Sequence, residues 1–169
     1  MSKLRLLLSG MFIAFCLALF QLQAAPPVAA ATPTSEAGAV IHFAANQLNK
    51  PFKLGAIGLR RYDCSGLVYR AFREEGLLRR IGGERTANGY YHWFQSRGLA
   101  SRSNPRVGDL VVWAKRGHPV SHIGIFAGYN RWGAPMAISA LINPYGVSRH
   151  RVNGIDKRFR AYLHVHLLR

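Results

Sequence analysis

In Tyr62-Asp63-Cys64-Ser65-Gly66-Leu67-Val68 a thiol stands at the first turn of a helix expected from the apolar spacing of Leu67, Val68, Ala71 and Phe72. Unsatisfied N–H groups and the dipole at a helix start stabilise a thiolate and lower its pKa below the free value of about 8.5. The competing reading is a buried structural cysteine, because free cysteine is among the most buried residue types. A core cysteine would sit more naturally one turn later, among the apolar residues of that helix. A thiolate nucleophile needs a base, and His122 is the best placed of the seven histidines. It opens the segment Ser121-His122-Ile123-Gly124-Ile125, just after Gly108-Asp109-Leu110-Val111-Val112-Trp113. Two adjacent strands can carry an imidazole to a helix N-terminus, with a third group to orient the ring.

The elements that must position these two groups follow from the hydrophobic period. Val40, Ile41, Ala44, Ala45 and Leu48 share one helical face, with Ser35 as N-cap and Pro51 as a stop. A second helix is expected from Cys64 to about Gly76, and a third from Thr86 to Arg97 with Gly98 beyond its end. After Pro105 the period falls to two. Strands are expected over Asp109–Ala114, His122–Gly128, Met136–Ile142, Val147–Val152 and Ala161–Leu167. Helices first and consecutive strands afterwards predict an α+β fold, with helices packed on an antiparallel sheet of about five strands.

The first 31 residues carry Lys3 and Arg5, an apolar run from Leu6 to Leu22, and an exit rich in alanine and proline. That is the plan of a cleaved secretory signal peptide, so the product is expected to be exported to the periplasm or cell wall, with no stable membrane span after cleavage. Residues 32–36 read as a linker and 37–169 as a single domain. Cleavage removes Cys16 and leaves Cys64 as the only cysteine, which excludes an internal disulfide and suggests either intermolecular pairing or a reactive thiol. The whole chain has 23 Lys+Arg against 7 Asp+Glu, a formal charge of +16; without the leader 21 basic side chains remain, or +14. Such a balance attracts anionic partners. Export and the dispersal of the arginines argue against nucleic acid, and favour adhesion to anionic wall polymers such as teichoic acid or lipopolysaccharide.

Other features read as structural. His164 and His166 lie two apart on a strand, but no Cys-x-x-Cys, His-Glu-x-x-His or acidic cluster accompanies them, so no metal is expected. Tyr90, Tyr91, Trp93 and Phe94 read as core aromatics before a stacking platform. No P-loop or dinucleotide fingerprint occurs, and no cofactor is expected.

The blocks Asp63-Cys64-Ser65-Gly66-Leu67-Val68, Gly108-Asp109-Leu110-Val111 and His122-Ile123-Gly124-Ile125-Phe126-Ala127-Gly128, in that order and spacing, resemble the signatures of the NlpC/P60 cysteine peptidases. Asn49-Lys50-Pro51-Phe52 and Arg85-Thr86-Ala87 look like two weaker blocks of the same family. The resemblance implies a papain-like fold and hydrolysis of peptidoglycan stem peptides, with an endopeptidase cut next to D-glutamate as the family default. It also implies Cys64 as nucleophile and His122 as base. Alternatives are an N-acetylmuramoyl-L-alanine amidase of the same fold, or a non-catalytic basic binder of wall polymer. Aligning Ala137-Ile138-Ser139-Ala140-Leu141 with the strand after the histidine puts Ser139 at the third catalytic position, where the family often has His; Asn143 and His150 are the alternatives. Asp63, Ser65 and Arg85 match positions that line the substrate groove, and Phe52 stands where the family commonly has a substrate-binding Tyr.

Overall fold

A computed structural model describes residues 35–168; the leader expected over 1–31 lies outside the described residues. Helix α1 (Glu36–Ala45) starts within the segment expected as a linker, because Ser35 caps it by accepting from the Gly38 N–H at 3.0 Å. Its buried face is Ala37, Val40 and Ala44. Helix α2 (Cys64–Glu74) buries Leu67, Val68, Ala71 and Phe72, a single stripe at helical spacing. A single turn, α3 (Leu78–Ile81), follows; its four residues include two arginines and carry no period by which sequence could reveal it. Helix α4 (Ala87–Gln95) is capped by Thr86 and turns Ala87, Tyr90 and Phe94 into the core.

The sheet has six strands, one more than expected: β1 (Ala100–Ser101), β2 (Leu110–Ala114), β3 (Val120–Tyr129), β4 (Pro135–Leu141), β5 (Gly146–Arg151) and β6 (Arg158–Leu163). The additional strand, β1, is two residues long and too short to show alternation. The order is β1-β6-β2-β3-β4-β5 with every pairing antiparallel. Thus β3 sits inside the sheet and is flanked by β2 and β4. Ile123 and Ile125 on β3, with Leu110 and Val112 on β2, face the helices in the main core. The opposite face is closed over a smaller cluster of Val111, Trp113, Phe126, Ala137, Val152 and Tyr162. That second layer explains why all five residues of β2 are buried. Among the described residues, no helix is long and apolar enough to cross a membrane.

Asp109 fastens the chain end to this frame. Its carboxylate is almost fully buried and accepts from the N–H groups of Arg106 (2.8 Å) and Val165 (2.9 Å) and from His164 Nδ1 (3.0 Å). His164 Nε2 meets Ser101 Oγ at 2.7 Å. His164 therefore ties β1, the β2 entry and the C-terminal segment together.

Candidate active site

The start of α2 is built around Asp63. As N-cap, its Oδ1 accepts from the Gly66 N–H at 2.6 Å and from Ser65 Oγ at 2.9 Å, while Oδ2 accepts from the Gly55 N–H at 2.7 Å. One carboxylate thus ends the preceding loop, starts the helix and sets the pitch of the residue between, Cys64. Gly66 is required here because a Cβ at that position would run into the Ala56 carbonyl, which accepts the Asp63 N–H.

Helix α2 packs on β3, and the backbone N–H of Ile123 is one of the groups that bear on the Cys64 thiol. The two expected reactive groups lie 58 residues apart in sequence, on two elements, α2 and β3, that pack against each other. Register contributes as well: Trp113 pairs with His122 and Ala114 with Val120, so Ser121 is an extra residue in a bulge and remains exposed.

His122 is 5% exposed, and its ring lies 5.3 Å from that of Trp113. Its Nε2 is 2.9 Å from the Oγ of Ser139, which is fully buried. Gly124 makes this approach possible, since a Cβ there would come within 2.8 Å of the Ser139 Cβ. Ser139 Oγ is in turn 2.8 Å from His150 Nε2, and His150 Nδ1 is 3.0 Å from the Arg151 carbonyl. Donors and acceptors in this chain can be assigned from its far end. A carbonyl only accepts, so His150 carries its proton on Nδ1 and, when neutral, offers a bare Nε2. Ser139 must then donate to His150 and accept from His122 Nε2–H. His122 is left with Nδ1 as its unprotonated, basic nitrogen.

Burial keeps both rings neutral. It pushes His122 down to about 3, with the charges of His150 and Lys157 acting in the same direction. Burial likewise lowers His150, opposed by its bond to the Arg151 carbonyl. The thiol departs from the sequence expectation. Burial pushes Cys64 up, and the neighbouring Asp63 carboxylate adds to the rise, against the N–H groups of Ile123, Ser65 and Cys64 itself. A helix start lowers a thiol pKa when solvent also reaches the sulfur; here desolvation outweighs the amides. The shifts on both groups, up for the thiol and down for the imidazole, disfavour their charged forms.

The other expected site residues divide. Asp63, Ser65 and Arg85 line one groove of about 560 Å³ with Gly55, Glu84 and Thr86, directly beside Cys64 in sequence and space. Arg85 donates to the Gly82 carbonyl at 2.7 Å, and its Nε is buried with no partner. Phe52 is not in that lining; it packs against the main core and bridges to Tyr62. Asn143 is exposed in the β4–β5 turn and has no side-chain partner on His122, whereas His150 joins through Ser139. The Ser139–His150 link was hidden from sequence because it depends on β4–β5 register, which pairs Ser139 with Ser148 and brings His150 alongside.

A cysteine opening a helix, an imidazole on the adjoining strand and a polar group on the next strand define a papain-like α+β architecture. The NlpC/P60 family model matches residues 49–163, and the chain belongs to that family. Among curated proteins, it is 33% identical over 114 residues to the murein DD-endopeptidase MepH of Escherichia coli strain K12, covering 63% of this chain and 40% of that protein. It is 33% identical over 104 residues to MepS of the same strain, described as a murein DD-endopeptidase and murein LD-carboxypeptidase, covering 59% and 52%. The chain thus spans about half the length of these relatives, or less. Among solved structures, an NlpC/P60 protein from Bacillus cereus superposes with a TM-score of 0.62 at 19% identity, over 76% of this chain and 40% of that one. The NlpC/P60 domain of the peptidoglycan hydrolase SagA gives 0.55 at 21%, over 76% and 98%. At such identities these structures speak for the fold alone.

Proposed function

We propose that the protein is an exported cysteine peptidase that hydrolyses peptide bonds in bacterial peptidoglycan stem peptides. The observation that carries this reading is Cys64 at the start of α2, which packs on β3, together with His122 on β3, whose Nε2 is tied to Ser139. Membership of the NlpC/P60 family and the murein endopeptidase relatives support the substrate class. As Cys64 Sγ attacks the scissile carbonyl carbon, its proton passes to His122 Nδ1 and a C–S bond forms. The carbonyl oxygen becomes an oxyanion next to the backbone N–H of Cys64, at a helix start suited to negative charge. Collapse breaks the C–N bond, and His122 returns the proton to the departing amine. Water, deprotonated by the same Nδ1, then cleaves the thioester and frees the thiol. Ser139 and His150 keep the ring in the tautomer that this cycle requires. Asp63, Ser65 and Arg85 line the groove for the acyl part of the substrate.

Two bonds are in question. The family default is the bond next to D-glutamate; the names of the two relatives favour a bond between D-residues. Mass spectrometry of muropeptides released from purified sacculi by the mature protein distinguishes them, and a new sugar–peptide end would instead reveal an amidase. A Cys64→Ala protein that still digested sacculi would remove the mechanism altogether.

A further inference from the structure

Between α4, the β2–β3 turn and β6 lies an open cleft of about 990 Å³ whose wall contains Arg102, Lys115, Arg116, Lys157, Arg158 and Arg160. No acidic side chain lines it. The three ion pairs among the described residues all lie elsewhere, on Glu74, Glu36 and Asp109. Three of these cations have work within the chain. Lys157 Nζ donates to Ser121 Oγ at 3.1 Å, Arg102 lies over the Phe159 ring at 5.2 Å, and Arg160 over Tyr91 at 5.6 Å. Lys115, Arg116 and Arg158 are exposed and have no side-chain partner among the described residues. Unpaired like charges gathered in one concavity repel one another and favour an anion between them.

The position of the cleft says which anion. Val120 lines it, and Lys157 connects it to Ser121, so it opens on the residue before His122. The groove of Asp63, Ser65 and Arg85 flanks Cys64 instead. In the reaction proposed above, the acyl part stays on the cysteine and the departing amine takes its proton from the histidine. The part of the substrate that leaves must therefore lie on the histidine's side. Tyr91 and Phe159 add apolar wall on which a peptide stem can rest.

We propose that this cleft is the subsite for the leaving fragment, and that it selects fragments bearing free carboxylates. The inference rests on the peptidase reading. Lys157 is also one of the charges that hold His122 low, so a carboxylate on it would act on the base as well as on binding.

The test uses the mature protein and two synthetic peptides with one shared acyl part, taken from the muropeptide bond the protein cuts. Their leaving fragments differ only as dicarboxylate and diamide. Wild type should cleave the dicarboxylate with kcat/KM about tenfold higher, mainly through KM, since two or three exposed charge pairs act together. The preference should vanish in high salt and in an Arg116→Gln/Arg158→Gln protein, with diamide cleavage unchanged. Equal rates in wild type, or a preference that survives in the double variant, would overturn the subsite. So would a double variant that keeps the preference but loses binding to lipoteichoic acid, which would make the cleft a polymer dock. Should sacculi yield no cut bond from which to build the peptides, the peptidase reading fails; the cleft is then judged alone by titrating Cys64→Ala protein with a free dicarboxylate stem-peptide fragment and its diamide. About tenfold tighter binding of the dicarboxylate, lost on adding the arginine substitutions, would uphold an acidic-peptide site, and equal affinity would dismiss it.

Discussion

Two histidines in this fold are fixed by side-chain hydrogen bonds, His164 at both ring nitrogens and His122 at one. His164 bridges Ser101 Oγ and the Asp109 carboxylate. His122 has Ser139 on one nitrogen, and beyond it a second neutral imidazole that ends on a carbonyl. The carboxylate-held ring belongs to a fastener: every bond it makes joins chain segments, and Asp109 is satisfied by two backbone N–H groups besides. The other ring keeps Nδ1 free and lies on the strand against which the Cys64 helix packs. On the proposed reading, a carboxylate contact is a poor guide to the reactive histidine, and a free nitrogen is a better one.

The comparison is sharpest in activity. Cys64→Ala and His122→Ala should each lower turnover of sacculi or muropeptides by several orders of magnitude, because the two groups act as a unit, while His164→Ala should leave turnover within a few-fold of wild type. A crippled His164→Ala protein with an unchanged melting temperature would reverse the assignment of the two rings.

Sequence carried the fold class and the placement of Cys64 and His122 because both rest on local pattern: a helix start before Cys64 and a period-two strand around His122. Three things were not legible. The rise in the Cys64 pKa depends on how α2 and β3 close over the sulfur, which no local signal contains. The link from Ser139 to His150 depends on pairing register between two strands. The basic cleft gathers Arg102, Arg116 and Arg158 from segments whose charges look dispersed when read along the chain.

A second test uses acid. His122 is near 3 in the folded protein and near 6.5 when unfolded, and His150 is lowered in the same direction. Between those values the unfolded chain binds more protons, so the stability is fully present above about pH 6.5 and is lost as pH falls toward 3. The loss from His122 alone should approach about 1.4 kcal/mol per pH unit, and amount to about 1.6 kcal/mol between pH 6.5 and 5. Denaturant melts across that range should show it, and His122→Gln should flatten the slope. A slope unaltered by that substitution would mean that His122 is more solvated than its 5% exposure indicates. Alkylation of Cys64 gives the companion measurement: its rate should climb only at a pH above that for a free thiol, because burial raises the group.

The fastener has a smaller effect, on stability alone. His164→Ala removes the bonds to Ser101 and Asp109 while leaving the Asp109 carboxylate its two N–H donors, so the expected cost is about 1–2 kcal/mol. Chemical denaturation checks it. A loss of activity larger than the loss of folded protein would show that the C-terminal segment does more than hold the sheet together.

The smallest effect concerns the relay, and it separates two explanations of the serine. Should Ser139 act alone, Ser139→Ala would cost activity and His150→Ala would not. Should it act as a conduit, both substitutions release the same constraint, because the direction of the Ser139 hydroxyl is set by the bare Nε2 of His150. Neutral bonds hold an imidazolium less firmly than a carboxylate does, charge-assisted bonds being roughly twice as strong, so each single substitution should lower kcat by about tenfold or less. The double variant should then be no worse than the poorer single, as for residues in one network. Buried Ser139→Ala also leaves two ring nitrogens facing a methyl group, so a melting curve must accompany the kinetics. The readout that a merely structural role would not move is the ring itself. Nitrogen NMR of wild type should report His122 as the Nε2–H tautomer, and His150→Ala should let the Nδ1–H form appear without unfolding the protein. An unchanged tautomer in His150→Ala, with Ser139→Ala still impaired, would end the relay at the serine.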